Sequence, residues 1–248
     1  MMTVCRKSLF EETRIGPVTL RNRFVRSATW EAMADSTRHP TERLVEVYRN
    51  LAKGGVGLII TSATLITPET TGLPGMLGIY DDSFIPEYRA RLTLEIYDEI
   101  RARAGKDFGI LIKINCSDFG EDDGVFAACR YACTRLAARG IDAIEITGGA
   151  GSVPGLEETG FEESVLRNYA AEIAREVDVP VIMVGVNRTL RVMDQLLNST
   201  GIGYFSLSRP LIRQPDLVNL WKNDPGSETE CLSCNQCRQP GGNVCPFA

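Results

Sequence analysis

Cys231, Cys234, Cys237 and Cys245 follow the pattern C-x2-C-x2-C-x7-C, with Pro246 directly after the last cysteine. Four closely spaced thiolates in an intracellular chain point to a metal rather than to disulfides. The C-x2-C-x2-C run followed by C-P resembles the ligand run of a [4Fe-4S] cluster. Zinc suits four thiolates equally well on ligand type, and the plain alternative is an unmetallated vestige. Counting removes one class of chemistry: His39 is the single histidine, so no mechanism built on a His pair or a His-rich metal site is available.

Lys113 stands inside the otherwise apolar run ILIKIN. A lysine there is costly to bury unless it meets an anion or an electron-rich ring. Three readings stay open: a Schiff-base lysine, a cation facing the electron-rich edge of a flavin, or a side chain snorkelling out of a strand end. Glu145 raises the same question, with an ion pair to Lys113 as the simple answer. Gly185, Ser208 and Arg209 suggest an anion. Gly185 lets backbone approach closely, and Arg209 offers a bidentate fork to phosphate. The bland alternative makes Gly185 a turn residue and Arg209 a surface ion pair. Cys116 and Asp118 are either substrate contacts or solvated loop residues. Cys129 and Cys133, at i and i+4, are expected in the core, and Cys5 as a terminal thiol.

The elements that must position these groups alternate. LFEETRIGPVTLRNRFVRSAT predicts a short hairpin turning at Gly16-Pro17 and feeding a strand at Phe24 and Val25. Helix is expected from about residue 41 to 53, then the buried strand VGLIITSAT, an irregular loop over 65–82, and a helix over about 84–103. Strand-and-helix pairs follow: FGILIKIN with 125–139, IDAIEIT with 163–177, VPVIMVG with TLRVMDQLLNS, and GYFSLS with a helix in RPLIRQPDLVNLW. Such alternation predicts a parallel sheet with right-handed crossovers. No G-x-G-x-x-G follows the first strand, which disfavours a doubly wound nucleotide fold. The expected fold is therefore α/β, a TIM-type β/α barrel shortened to about six strands, smaller or partly open. Its site lies at the strand C-terminal ends, with phosphate at the loops after the last two strands.

The 248 residues suit one such domain. We expect residues 1–226 to form it and residues 227–248 to form a cysteine-rich tail. Net charge is −5 with no basic block, which excludes nucleic acid as a partner class. Neither an apolar leader nor a membrane-length apolar run is read in the sequence, so no membrane partner and a cytoplasmic location are expected.

LRNRFVRSATWEAMAD, GGVGLIITSAT, LIKINCSDF, IEITGG and SLSRPLIRQPDLVNLW, in this order, resemble the Old Yellow Enzyme-like NADH:flavin oxidoreductases, in the branch with 2,4-dienoyl-CoA reductase-like features. The resemblance implies a TIM barrel around FMN. Ser27, Ala28 and Thr29 would lie along the isoalloxazine ring and Ala63 beside its pyrimidine edge. Lys113 takes the place of a basic residue near the flavin N1 and O2 atoms, while Gly185 and Arg209 would hold the phosphate. The implied activity passes hydride from NAD(P)H through FMN to a small electron-poor alkene. The cysteine tail is similar, with altered spacing, to the cluster motif after the barrel in that branch. Longer relatives continue into FAD/NAD-binding domains, and this chain ends at Ala248.

The sequence also departs from the family. SFIPEYR, like the start of the family's second helix, runs straight into ARLTLEIYDEIRARAG, like its fourth. Two βα units, on the order of 60 residues at ~30 per unit, are missing. The family's substrate-binding His or Asn pair, its flavin-contacting Gln and its proton-donor Tyr belong to that segment and cannot be carried over. With six strands, VGLIITSAT and FGILIKIN are expected either to pair or to leave open edges that a homo-oligomer would cover. Two other functions fit the residues. One is an impaired flavin binder or degenerate barrel, and the other is a Schiff-base lyase using Lys113.

Overall fold

The computed structural model describes residues 6–36, 41–60, 64–65, 74–75, 77–78, 97, 101, 109–117, 125–148, 163–237, 239 and 242–248. In chain order the elements begin with β1 (Thr13–Ile15), β2 (Val18–Leu20), β3 (Phe24–Arg26), α1 (Glu42–Lys53) and β4 (Leu58–Ile59). Two short strands follow, β5 (Thr64–Leu65) and β6 (Leu77–Gly78). Then come β7 (Leu111–Asn115), α2 (Val125–Ala138), β8 (Ala143–Thr147), α3 (Arg167–Glu176) and β9 (Val181–Val184). The chain closes with α4 (Leu190–Ser199), β10 (Tyr204–Leu207), α5 (Arg209–Arg213) and α6 (Leu217–Asn223).

Six strands form one sheet in the order β4-β3-β10-β9-β8-β7, and the β7–β8, β8–β9 and β9–β10 pairs are parallel. This is the shortened α/β barrel that strict alternation predicts. Of the two alternatives for VGLIITSAT and FGILIKIN, mutual pairing or open edges, no ladder joins β4 and β7 among the described residues, and they are the end strands of this order. The two-residue β4 is taken up by β3 instead, and the adjoining Ile60 N–H donates to the Arg26 carbonyl (2.9 Å).

By its contacts the chain divides into two compact units. The first comprises Met1–Val25 and Arg89–Ser206. Its hairpin β1–β2 is antiparallel and turns at Gly16, whose φ of +51° suits glycine. A Cβ there would also sit 1.9 Å from Asp142 Oδ1, so the turn tolerates no side chain. β8 is buried along Ala143–Ile146, as expected for a parallel strand covered on both faces. Ile144, Ile146, Ile182, Met183 and Phe205 form the sheet's share of the core, and Leu136, Ile173 and Met193 bring the helices onto it. Of the helix expected over 84–103, only Tyr97 and Arg101 are described. Both anchor locally: Tyr97 Oη donates to the Arg139 carbonyl (2.8 Å), and Arg101 Nη2 pairs with Asp142 (2.6 Å).

The second unit comprises Arg26–Tyr88 and Leu207–Ala248, so residues 227–248 fall within it. Leu44 and Leu51 bury the apolar face of α1. Thr41 caps this helix: its Oγ1 accepts from the Leu44 N–H (3.4 Å) and donates to the Met33 carbonyl (2.7 Å). Thr41→Ala is expected to cost about 1 kcal/mol in a urea titration, the usual worth of an N-cap hydroxyl. The loop over 65–82, expected to be irregular, takes part in a parallel pairing of Thr64 with Leu77 and Leu65 with Gly78. RPLIRQPDLVNLW holds two helices rather than one. Pro215 disfavours helical backbone at the preceding residue, and Gln214 accordingly leaves the helix at φ −133°, ψ 87°. Among the described residues no helix is long and apolar enough to cross a membrane.

Candidate functional site

The strand ends of the second unit carry a hydroxyl cluster. Ser27 is fully buried, and its N–H donates to the Leu207 carbonyl (3.1 Å). Thr29 Oγ1 donates to the Ser27 carbonyl (3.0 Å) and shares a hydrogen bond with Ser208 Oγ (2.9 Å). Ala28 and Thr29 are partly exposed. The residues expected along a flavin ring are thus tied to the turn after β10 by backbone and side chain alike. Ala63 lies outside the described residues.

Beneath this cluster is an ion pair that sequence reasoning missed. Arg26 Nη2 meets Glu31 Oε1 at 2.6 Å, with the side chains 1% and 3% exposed. Arg26 Nη1 donates to the Ser208 carbonyl (2.6 Å). A charged residue in FVRSAT carried the same signal as Lys113 in ILIKIN, since neither belongs in a buried strand without a counter-charge.

Arg209 begins α5, directly after β10, as expected, but it faces the cysteine loop. Its Nη1 donates to the Ser233 carbonyl (3.1 Å) and to Asn235 Oδ1 (2.7 Å). Both acceptors sit in left-handed backbone, Ser233 at φ +57° and Asn235 at φ +59°. Among the described residues Nε and Nη2 of Arg209 have no protein partner and are not buried, so one edge of the guanidinium is open to a bidentate anion. The Thr29 hydroxyl proton goes to the Ser27 carbonyl and the Ser208 proton to Thr29, so the open Arg209 edge is the donor pair this segment offers to the phosphate of a cofactor.

The tail also reaches the loop after β3. Asn243 N–H donates to the Glu31 carbonyl (3.0 Å), and Asn243 Nδ2 donates to the Trp30 carbonyl. Cys231 and Cys237 are buried, Cys245 is half-buried and Cys234 is exposed. Burial and the neighbouring Cys231 push the Cys237 thiol up, while the Arg209 guanidinium pulls it down. Among the described residues no three His, Cys, Asp or Glu side chains are gathered as metal ligands.

In the first unit, Lys113 and Glu145 stand opposite each other in the β7–β8 register and pair at 3.0 Å. Glu145 is 1% exposed and Lys113 26%, so the lysine end is the wetter one. Gly185, after β9, has φ +126°, which suits glycine, and a Cβ there would press on Leu166 and Val165 at 3.2–3.3 Å. The turn beyond it is held by side chains the sequence did not single out. Ser164 Oγ donates to Asn187 Oδ1 (2.9 Å), while Asn187 Nδ2 donates to the Met183 and Ser206 carbonyls (both 3.0 Å). Gly185 belongs to the first unit and Arg209 to the second.

Cys116 is corrected. It is fully buried, its N–H donates to the Thr147 carbonyl (2.7 Å), and burial pushes its thiol up to about 12. Neither substrate contact nor loop solvation describes it, because the β7–β8 pairing continues through it. Cys129 and Cys133 lie in the core as expected, with sulfurs 3.8 Å apart. Cys5, His39 and Asp118 lie outside the described residues.

A shortened TIM-type α/β barrel with such strand ends defines the class. Residues 8–90 match the model of the NADH:flavin oxidoreductase / NADH oxidase family. The NADH oxidase of Thermoanaerobacter brockii is 28% identical over 159 residues, covering 63% of this chain and 24% of that protein. Two solved structures share the fold. A 2-naphthoyl-CoA reductase complex superposes with a TM-score of 0.75 at 14% identity, over 92% of this chain and 54% of that one. The old yellow enzyme homologue from Zymomonas mobilis gives 0.65 at 17% identity, over 90% and 94%. The chain is thus similar to the NADH:flavin oxidoreductases over residues 8–90, and it shares the barrel fold of the old yellow enzyme homologues. It spans about a quarter of the length of the curated NADH oxidase it matches.

Proposed function

We propose that this chain binds FMN and serves an NAD(P)H-dependent reduction of a small, electron-poor acceptor of the activated-alkene class, on a barrel that has lost two βα units. The observation that carries the reading is the second unit's strand end, where Ser27, Thr29 and Ser208 are hydrogen-bonded together and Arg209 keeps one guanidinium edge open. There Ala28 and Thr29 present a partly exposed surface for the ring, and Ser208 and Arg209 hold the phosphate. In the first unit, Lys113 is the proposed cation for an electron-rich cofactor edge and Gly185 the proposed close-approach glycine for an anion. Bound FMN supplies the hydride chemistry, and the protein supplies placement and electrostatics. The match of residues 8–90 to the NADH:flavin oxidoreductase model supports a flavin, and the acceptor follows from the resemblance.

The purified protein is expected to be yellow, or to become so on adding FMN, with absorbance near ~450 nm from the bound flavin. Anaerobic NADH is expected to bleach that band. A colourless protein indifferent to FMN would overturn the assignment. Bound flavin that NADH leaves yellow would make the chain a binder only. Borohydride trapping of a carbonyl substrate on Lys113 would replace the flavin reading with a lyase.

A further inference from the structure

Arg209 does two things at once. Its Nη1 atom holds the cysteine loop at Ser233 and Asn235, and its Nε–Nη2 edge is open among the described residues. A guanidinium is planar and rigid, so fixing one nitrogen fixes the direction of the opposite edge. The loop it holds carries two residues at positive φ, a backbone that these two contacts help to keep. Ser233 is buried, Cys231 and Cys237 flank the contact and are buried too, and Cys234 between them is exposed. Arg213, one turn on in α5, pairs with Glu230 at 2.6 Å just before the loop. The same short helix therefore grips the cysteine segment at both its start and its middle.

We propose that anion binding at the open edge of Arg209 and closure of the Cys231–Cys237 loop are thermodynamically linked through this one guanidinium. The proposal rests on the flavin reading, with the FMN phosphate as the anion, and adds a regulation that reading does not contain. A bound phosphate withdraws the freedom of the Arg209 side chain, so the Ser233 and Asn235 contacts close at smaller entropic cost. The loop in turn presents the guanidinium edge ready for the phosphate. Linkage is reciprocal: the factor by which FMN tightens the loop is the factor by which the loop tightens FMN. The state of the thiols thereby sets cofactor affinity, and any agent that captures Cys231 or Cys237 in an opened loop promotes cofactor release.

Site-resolved alkylation with iodoacetamide, with and without saturating FMN, tests one direction. FMN titration by fluorescence quenching tests the other. In the wild-type chain FMN is expected to slow labelling of Cys231 and Cys237 at least about fivefold, the lower end of typical couplings. Exposed Cys234 is the internal reference and keeps its rate. Asn235→Gly preserves the positive-φ backbone while removing the Oδ1 acceptor. It is expected to reduce the protection below twofold and to raise the FMN Kd about fivefold. Asn235→Asp, which keeps an acceptor at the same place, restores both. Wild-type chain that binds FMN with unchanged labelling, together with an unchanged Kd in Asn235→Gly, overturns the linkage and leaves the flavin reading standing. Wild-type chain that does not bind FMN overturns both.

Discussion

Replacing Glu31 by leucine destabilises the protein by about 3–5 kcal/mol, because it leaves the Arg26 guanidinium buried without a counter-charge. The side chains of the pair are 1% and 3% exposed and meet at 2.6 Å, so neither charge can turn to water when its partner is removed. Arg26→Met removes the guanidinium that Glu31 meets at 2.6 Å and is likewise expected to destabilise the protein. The double variant, Arg26→Met with Glu31→Leu, is expected to recover most of the loss, since an apolar pair of similar volume replaces two desolvated charges. Urea unfolding of the three variants gives the coupling energy directly. If either single variant stayed within about 1 kcal/mol of the parent, the level of an exposed pair, the buried-pair assignment would fail.

The pair also shapes the site. Arg26 uses its second terminal nitrogen on the Ser208 carbonyl, and the Glu31 backbone carbonyl accepts from Asn243 in the tail. One buried arginine therefore joins the end of β3, the turn after β10 and, through Glu31, the cysteine tail. Flavin binding is accordingly expected to weaken in either single variant in proportion to lost order at Ser27, Thr29 and Ser208.

Much of this architecture was legible in the sequence where a residue's environment repeats along the chain. VPVIMVG is an apolar run of strand length, as a covered parallel strand requires, and it became β9. Lys113 and Glu145 announced each other as lone charges in successive strands, and the register brought them together. Arg26 sent the same kind of signal, but its partner is five residues on, past the strand end, where no periodicity says which way a side chain points. Ser164 and Asn187 are 23 positions apart and meet only because two strand-end loops do. For Arg209 the place after the last strand was legible and its partners were not. Its contact with Asn235, 26 residues later, depends on how a turn-rich tail folds back, and no pattern of residue types encodes that.

Raising the pH from 9 to 12 is expected to remove stability that Cys116 contributes, and the sign follows from burial. The thiol has an ordinary value of 9.0 and is pushed up to about 12 in the fold, chiefly because burial penalises the thiolate. Below pH 9 the group is neutral in folded and unfolded chains alike, and its contribution is fully present. Between 9 and 12 the unfolded chain releases the proton while the folded chain keeps it, so stability falls as pH rises. At ~1.4 kcal/mol per pH unit the loss approaches about 4 kcal/mol at the upper end of the window. Cys116→Ala removes the titrating group while leaving the rest of the β7–β8 pairing in place. Its urea midpoint is therefore expected to decline less steeply over that interval than the parent's, whatever constant offset the smaller side chain introduces. Parallel curves for parent and variant would show that Cys116 reaches solvent in the native chain. A thiol so held is also a poor nucleophile near neutral pH. Iodoacetamide should therefore spare Cys116 in the folded protein and label it on unfolding, the behaviour of a residue that builds the sheet rather than one that meets substrate.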